Sequence, residues 1–323
     1  MASTKGVLLI NIGTPDSPET KDVAVYLREF LMDGEILPIP AFFRWILVHI
    51  GIVWRRAPVS AKKYQSIWTS QGSPLMVHSL AAKKNLQAEL GDDYAVEIGM
   101  RYGNPSIESA LLQFKNRGVK EVFILPLYPQ YCRATTESSF KKVDEMMQKH
   151  GLTFHLHKLQ SFWSNHQFIQ AVADEAKKSL QGKKVDYYLM TYHGLPESQN
   201  SKMDPMDSYK LRCQDTSKLV AEALGLGPHQ WSVSFQSRVG VETWIKPYTD
   251  EELKALPGRG IKNLAVLCPS FVADCLETVE EIGMEGKETF LHAGGENYYL
   301  VPCVNGRADY LKSLVRELES TEK

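Results

Sequence analysis

The sequence predicts an α/β fold of two lobes, each a parallel sheet covered by helices. Three observations carry this. Short β-branched runs alternate with longer helical stretches, one segment recurs further along, and 323 residues suit two ordinary domains better than one. Strands are expected at Gly6–Ile12, Ala95–Met100, Glu121–Leu127, Thr153–His157, Asp186–Tyr192, Trp231–Gln236 and Asn263–Leu267. Helix starts are expected at Ser17-Pro18 and Asn104-Pro105, where a side-chain oxygen can cap free N–H groups and proline suits a first helical turn.

The recurring segment aligns without gaps: Asn116-Arg117-Gly118-Val119-Lys120 followed by Glu121–Leu125 lies over Gly258-Arg259-Gly260-Ile261-Lys262 followed by Asn263–Leu267. Upstream, each copy has a strand running into an Arg-containing turn, Met100-Arg101-Tyr102 and Ser237-Arg238-Val239. Downstream, each has a loop with Pro and aromatic residues, then a helix bearing acids. Three matching features in one order predict two related halves. The expected division is an N-terminal lobe over residues 1–170, a C-terminal lobe over 171–306, and a last segment, 307–323, whose helix Arg307–Leu318 packs back. Ligands of such sheets sit at the carboxyl ends of the strands, so the reactive cleft is expected there.

Composition excludes several classes. With 37 Lys and Arg against 38 Asp and Glu there is no net field to draw nucleic acid, which is not an expected partner. The polar start Met1–Lys5, and an apolar run Val7–Ile12 that stops at Gly13, do not read as a secretory signal, so a cytoplasmic protein is expected. Cys132, Cys213, Cys268, Cys275 and Cys303 are scattered without any CxxC pair, which fits buried thiols in a reducing compartment. No GxxxxGK[ST] and no strand-linked GxGxxG is present, which disfavours a nucleotide enzyme.

Four segments could carry chemistry. The strand ending at Tyr192 runs into His193-Gly194-Leu195-Pro196, placing an imidazole just past a strand's carboxyl end in a turn stiffened by Gly and Pro. In the loop Pro269–Glu281, Asp274 and Glu277 have the spacing of a helix capping box, but that does not account for Glu281, one turn beyond Glu277 on the same face. A row of acids leading inward suits handling of protons or a divalent ion, and a solvated acidic face is the competing reading. The matching first-half loop, Tyr128–Ser139, is rich in aromatics and hydroxyls at a helix start; it could hold an anion, although capping alone also selects Ser and Thr. Lastly, Ile36–Arg56 is dense in Phe, Trp and aliphatics yet too interrupted to span a bilayer, which needs ~20 apolar residues. It reads as an exposed lip that covers a flat apolar ligand or dips into a membrane interface.

Leu9-Ile10-Asn11-Ile12-Gly13-Thr14-Pro15, Gly72-Ser73-Pro74-Leu75, Arg101-Tyr102, Tyr128-Pro129-Gln130-Tyr131, His193-Gly194-Leu195-Pro196, Phe235-Gln236-Ser237-Arg238-Val239-Gly240 and Asp274-Cys275-Leu276-Glu277-Thr278 together resemble the ferrochelatase family, in family order from residue 6 to about residue 310. The resemblance implies two Rossmann-like lobes of the type II chelatase kind. The implied activity is insertion of Fe²⁺ into protoporphyrin IX to give protohaem. His193 and Glu277 would be the metal-site pair, with Glu281 extending an acidic path as a third catalytic residue. Asn11, Ile12, Arg56, Tyr64, Ser73, Arg101, Tyr102, Gln236, Trp244 and Phe271 would line the macrocycle. Fe²⁺ is then substrate, with no prosthetic group. Peripheral membrane contact would run through the lip.

The chain departs from relatives in two places. Position 275 is Cys where others carry His, and the sequence shows no cysteine-bearing tail, so no [2Fe–2S] cluster is expected. The rival readings are a chelatase acting on coproporphyrin or another tetrapyrrole, and a haem- or metal-binding protein without turnover. More acidic tetrapyrroles call for a basic cleft, and the apolar lip favours protoporphyrin.

Overall fold

The computed structural model describes residues 5–204, 206–240 and 242–320; Met1–Thr4 of the polar start and the last three residues of the 307–323 segment lie outside the described residues. The chain divides into two compact units. One runs through Ser161 and resumes at Gly306, and the other is Phe162–Asn305.

The first unit is built on β1 (Lys5–Thr14), β2 (Tyr94–Gly103), β3 (Glu121–Pro126) and β4 (His155–Lys158), all parallel, in the order β2-β1-β3-β4. The second repeats the plan with β5 (Tyr187–His193), β6 (Trp231–Gln236), β7 (Asn263–Leu267) and β8 (Asn297–Leu300) in the order β6-β5-β7-β8. Parallel strands covered on both faces read as unbroken apolar runs, and Val7–Ile10 and Leu264–Val266 are wholly buried. The recurring segment falls on β3 and β7, the third strand of each sheet. After each comes a loop and then a π-helical stretch, Arg133–Glu137 and Glu277–Gly286. In both sheets the chain leaves the central strand to one side and returns to the other, so the carboxyl ends of β1 and β5 are topological switch points.

The seven expected strands are present with ends shifted by up to three residues. β8 was not expected, because Asn297–Leu300 is a four-residue edge strand with no apolar run. The helix starts need correction. Helix α1 (Thr20–Leu31) begins beyond Ser17-Pro18: Ser17 Oγ accepts from the Glu19 N–H at 3.2 Å and donates to Asp22 Oδ2 at 2.5 Å, bracing the first turn rather than capping it. Asn104-Pro105 is a cis peptide ahead of the helix Ile107–Asn116, whose cap is Ser106 Oγ, accepting from the Ser109 N–H at 3.1 Å. The last helix is Asp309–Ser320 rather than Arg307–Leu318. It returns to the first unit, where Lys312 pairs with Glu89 at 2.9 Å and Glu319 with Lys5 at 2.6 Å.

The lip is helical. Ala41–Ile46 passes through a π-helical stretch, Leu47–Ile52, into the helix Val53–Ile67. Its large side chains stand in solvent, Phe42 at 69% and Trp54 at 61% of full exposure, with Phe43, Trp45, Leu47 and Ile50 also exposed. No helix among the described residues is long and apolar enough to cross a membrane.

Gly13, the last residue but one of β1, has φ +103°, and a Cβ there would lie 1.8 Å from the Tyr102 carbonyl oxygen on β2. A side chain would meet both strained backbone and a neighbouring strand. Gly13→Ala is expected to lower unfolding stability by at least ~2 kcal/mol, read by chemical denaturation.

Candidate active site

β5 ends on His193, at the second unit's switch point. Three contacts fix it. Its N–H donates to Ser270 Oγ at 3.2 Å, its carbonyl accepts from Tyr209 Oη at 2.8 Å, and ring Nδ1 lies 2.7 Å from the Gly194 carbonyl oxygen. A carbonyl only accepts, so Nδ1 carries the proton and Nε2 of the neutral ring keeps its lone pair. Nε2 has no hydrogen-bond partner among the described residues. The half-buried ring lies between Trp244 and Phe271, with centroids 6.4 and 6.5 Å away. Gly194 permits this turn, because a Cβ there would come within 2.9 Å of the Gln236 carbonyl oxygen and 3.1 Å of the Trp244 ring.

The carboxylates come from the π-helical stretch after β7. Glu281 is clamped by Ser237: the backbone N–H donates to Oε1 at 2.7 Å and the hydroxyl to Oε2 at 2.6 Å. Ser237 holds φ +64°, a conformation costly for any residue with a side chain, and its two hydrogen bonds to Glu281 help keep it there. Burial pushes the Glu281 carboxyl above its ordinary range and the charge of Glu277 adds to this, while Ser237 and His193 act the other way. His193, Glu277 and Glu281 are thus one electrostatic group. Gln236, expected near the macrocycle, is buried. Its Nε2 donates to the Glu277 carbonyl oxygen at 3.1 Å and its Oε1 accepts from Thr191 Oγ1 at 3.1 Å, bracing the Glu277 backbone against β5.

The capping-box reading of Asp274 and Glu277 is corrected by these contacts. Thr278 Oγ1 accepts the Cys275 N–H at 2.9 Å, and Asp274 is taken up elsewhere, accepting from Asn305 Nδ2 at 2.8 Å and Thr278 Oγ1 at 3.1 Å. Glu277 is left free of a capping role. Burial, with the nearby Glu277 charge, pushes the Cys275 thiol well up, so it stays protonated at neutral pH. Among the described residues no three His, Cys, Asp or Glu side chains are grouped to cage a metal ion.

In the first unit, Asn11 lies near the end of β1 with its Nδ2 donating to Ser79 Oγ at 3.2 Å; Ile12 beside it is half-buried. Ser73 is the cap of the helix Pro74–Leu90, accepting from the Met76 N–H at 3.3 Å. Arg56 is exposed, and Tyr64, on the same helix, is buried edge-on against Tyr26 and Trp68. Arg101 and Tyr102 are drawn together on Asp33, and Tyr102 is wholly buried. The structure therefore gathers His193, Glu277, Glu281, Gln236, Trp244 and Phe271 in one unit, and gives Ser73, Arg101 and Tyr102 internal partners in the other.

Sequence reasoning missed Ser237, Ser270 and Tyr209 as positioning groups. Ser237 lies within the Gln-Ser-Arg-Val-Gly motif, but its left-handed backbone has no sequence signal. A raised Glu281 carboxyl means that the folded state holds this proton more tightly than the unfolded chain. Its contribution is complete below the ordinary carboxyl range and is lost as pH rises through the raised one. Glu281→Gln is expected to flatten that part of the stability–pH profile, making the variant more stable than wild type at neutral pH, with the gain vanishing in acid; thermal unfolding across pH checks this.

A sequence profile of the ferrochelatase family matches residues 4–321. The chain is 45% identical to the ferrochelatase of Bdellovibrio bacteriovorus, over 96% of this chain and 99% of that one. It is 42% identical to the ferrochelatase of Alcanivorax borkumensis, over 97% and 93%. Among solved structures, the sirohydrochlorin chelatase SirB of Bacillus subtilis subspecies spizizenii with cobalt shares the fold at TM-score 0.58 and 10% identity, covering 98% of this chain and 95% of that one. A shared chelatase fold, a histidine at the β5 switch point in electrostatic contact with Glu281, and a match along nearly the whole sequence lead to one conclusion: the chain belongs to the ferrochelatase family.

Proposed function

We propose that the chain inserts Fe²⁺ into protoporphyrin IX to form protohaem, with His193, Glu277 and Glu281 as the reacting group. The supporting observation is the His193 imidazole, whose Nδ1 is committed to Gly194 and whose Nε2 lone pair is open, in electrostatic contact with Glu281, which in turn feels Glu277. A free-base porphyrin loses two pyrrole protons as Fe²⁺ takes their place, so the protein must accept protons and release them. Nε2 accepts a pyrrole proton or receives iron. Glu281, held above the ordinary carboxyl range, passes protons on at a pH where an ordinary carboxylate is a poorer acceptor. Iron is substrate in this reading, and no prosthetic group or [2Fe–2S] cluster takes part.

Trp244 and Phe271 give the ring an apolar wall beside His193. The apolar lip favours a substrate with two carboxylates over one with four. It also supports peripheral membrane contact, since exposed Phe42, Phe43, Trp45 and Trp54 lie next to the cations Arg55 and Arg56. Replacing Phe42 and Trp54 with Ser is expected to reduce co-sedimentation with anionic vesicles.

Anaerobic protein mixed with excess protoporphyrin IX and Fe²⁺ is expected to form metalloporphyrin well beyond one equivalent; a stop at one equivalent would mark a carrier. His193→Ala is expected to slow insertion by at least ~10²-fold. Activity above a tenth of wild type would remove His193 from the chemistry.

A further inference from the structure

The first unit contains a buried carboxylate that the chemistry above does not use. The Asp33 side chain is only 8% exposed and directly precedes the lip in sequence. One of its oxygens, Oδ2, collects three donors: Arg101 Nη2, Ser138 Oγ, and Tyr102 Oη at 2.8 Å. These come from the end of β2 and the start of the helix Ser138–Lys149. The other oxygen accepts from the Glu35 N–H at 2.8 Å, and the Asp33 carbonyl accepts from the N–H groups of Ile36 at 3.2 Å and Leu37 at 3.0 Å. One residue therefore joins the fixed end of the sheet to the first turn of the lip.

A second pair of contacts works in the same direction. Glu35 is bound by Arg133 at 3.0 Å and by Lys141 at 2.5 Å, again tying the lip's root to the stretch after β3. Further out, Arg44 Nη1 donates to the carbonyls of Leu37 and Ile39, each at 3.0 Å, so the root and the first lip helix are one hydrogen-bonded piece. Burial alone would raise the Asp33 carboxyl, but its donors and the Arg101 charge outweigh this and hold it ionised below the usual range. A buried charge with this many donors is a rigid joint, and removing its acceptor strands Arg101, Tyr102 and Ser138 together.

We propose that Asp33 is a positioning residue that sets the attitude of the apolar lip, with Arg101, Tyr102 and Ser138 as its anchor in the sheet and Glu35 as its second tether. The proposal rests on the reading of the lip as cover for the flat substrate. It assigns Arg101 and Tyr102, expected to line the macrocycle, to holding the lip.

Asp33→Asn keeps an acceptor for the Glu35 N–H but cannot accept three donors on its amide nitrogen. Two readouts apply to the full chain. In hydrogen exchange, amides 36–46 are expected to exchange faster in the variant while those of β1 and β3 keep their protection. In steady-state insertion, KM for protoporphyrin is expected to rise roughly tenfold with kcat changed less than about twofold, since misplacing a substrate-positioning element costs binding geometry. Unchanged exchange at 36–46, faster exchange throughout the first unit, or a loss confined to kcat would each overturn the proposal. Glu35→Gln, which touches only half-exposed partners, carries the same test if Asp33→Asn does not fold; unchanged exchange at 36–46 there overturns it too. If the wild-type protein turns over no porphyrin, the functional reading fails while the exchange measurement still judges the joint.

Discussion

The hydrogen bond from His193 Nδ1 to the Gly194 carbonyl oxygen is the constraint on which the proposed chemistry of the second unit depends. It determines which nitrogen of the neutral ring holds the proton, and so leaves the Nε2 lone pair open for the proposed role of base or ligand. The turn that allows it requires a residue without a side chain at position 194, because the Gln236 backbone and the Trp244 ring occupy the space. Ser270 and Tyr209 then hold the His193 backbone from two sides. Strand order puts this turn at a switch point, where a parallel sheet leaves room for a ligand.

The two halves share one topology and use it unequally. At the end of β2, Arg101 and Tyr102 join a network in which a buried carboxylate is fully supplied with donors. After β6, the counterpart Arg238 turns outward to Asp250 and Glu251, at 3.1 and 3.5 Å, and Ser237 beside it takes the strained conformation that meets Glu281. A satisfied charge makes a joint. An acid held above its ordinary range, beside an imidazole with a spare lone pair, makes a site that can exchange protons. On the proposed reading, the duplicated plan supplies a support in one half and chemistry in the other.

Much of this was legible in the sequence because burial on both faces of a parallel strand writes itself as an apolar run. Seven strands and the repeat on β3 and β7 followed from that pattern. His193 and Glu281 stood out for a related reason, one expected just past a strand's end and the other one turn beyond a pair that capping accounts for, whereas Glu277 entered through the family resemblance. Long-range partners were harder to see. Nothing near Asp33 in sequence announces Arg101 or Ser138, and the left-handed backbone of Ser237 is chosen by a contact 44 residues away. Helix starts were misplaced where a plausible cap was engaged otherwise, as with Ser17 and Asp274. Edge strand β8 escaped because four residues, from exposed Asn297 to buried Tyr298, carry too little pattern.

The account is tested most directly by the protonation of one ring. Nitrogen NMR of protein labelled with ¹⁵N-histidine, with His193 assigned by comparison with His193→Gln, reports each imidazole nitrogen separately. The account predicts that neutral His193 carries its proton on Nδ1 and shows an unprotonated Nε2. A proton found on Nε2, with Nδ1 bare, would contradict it.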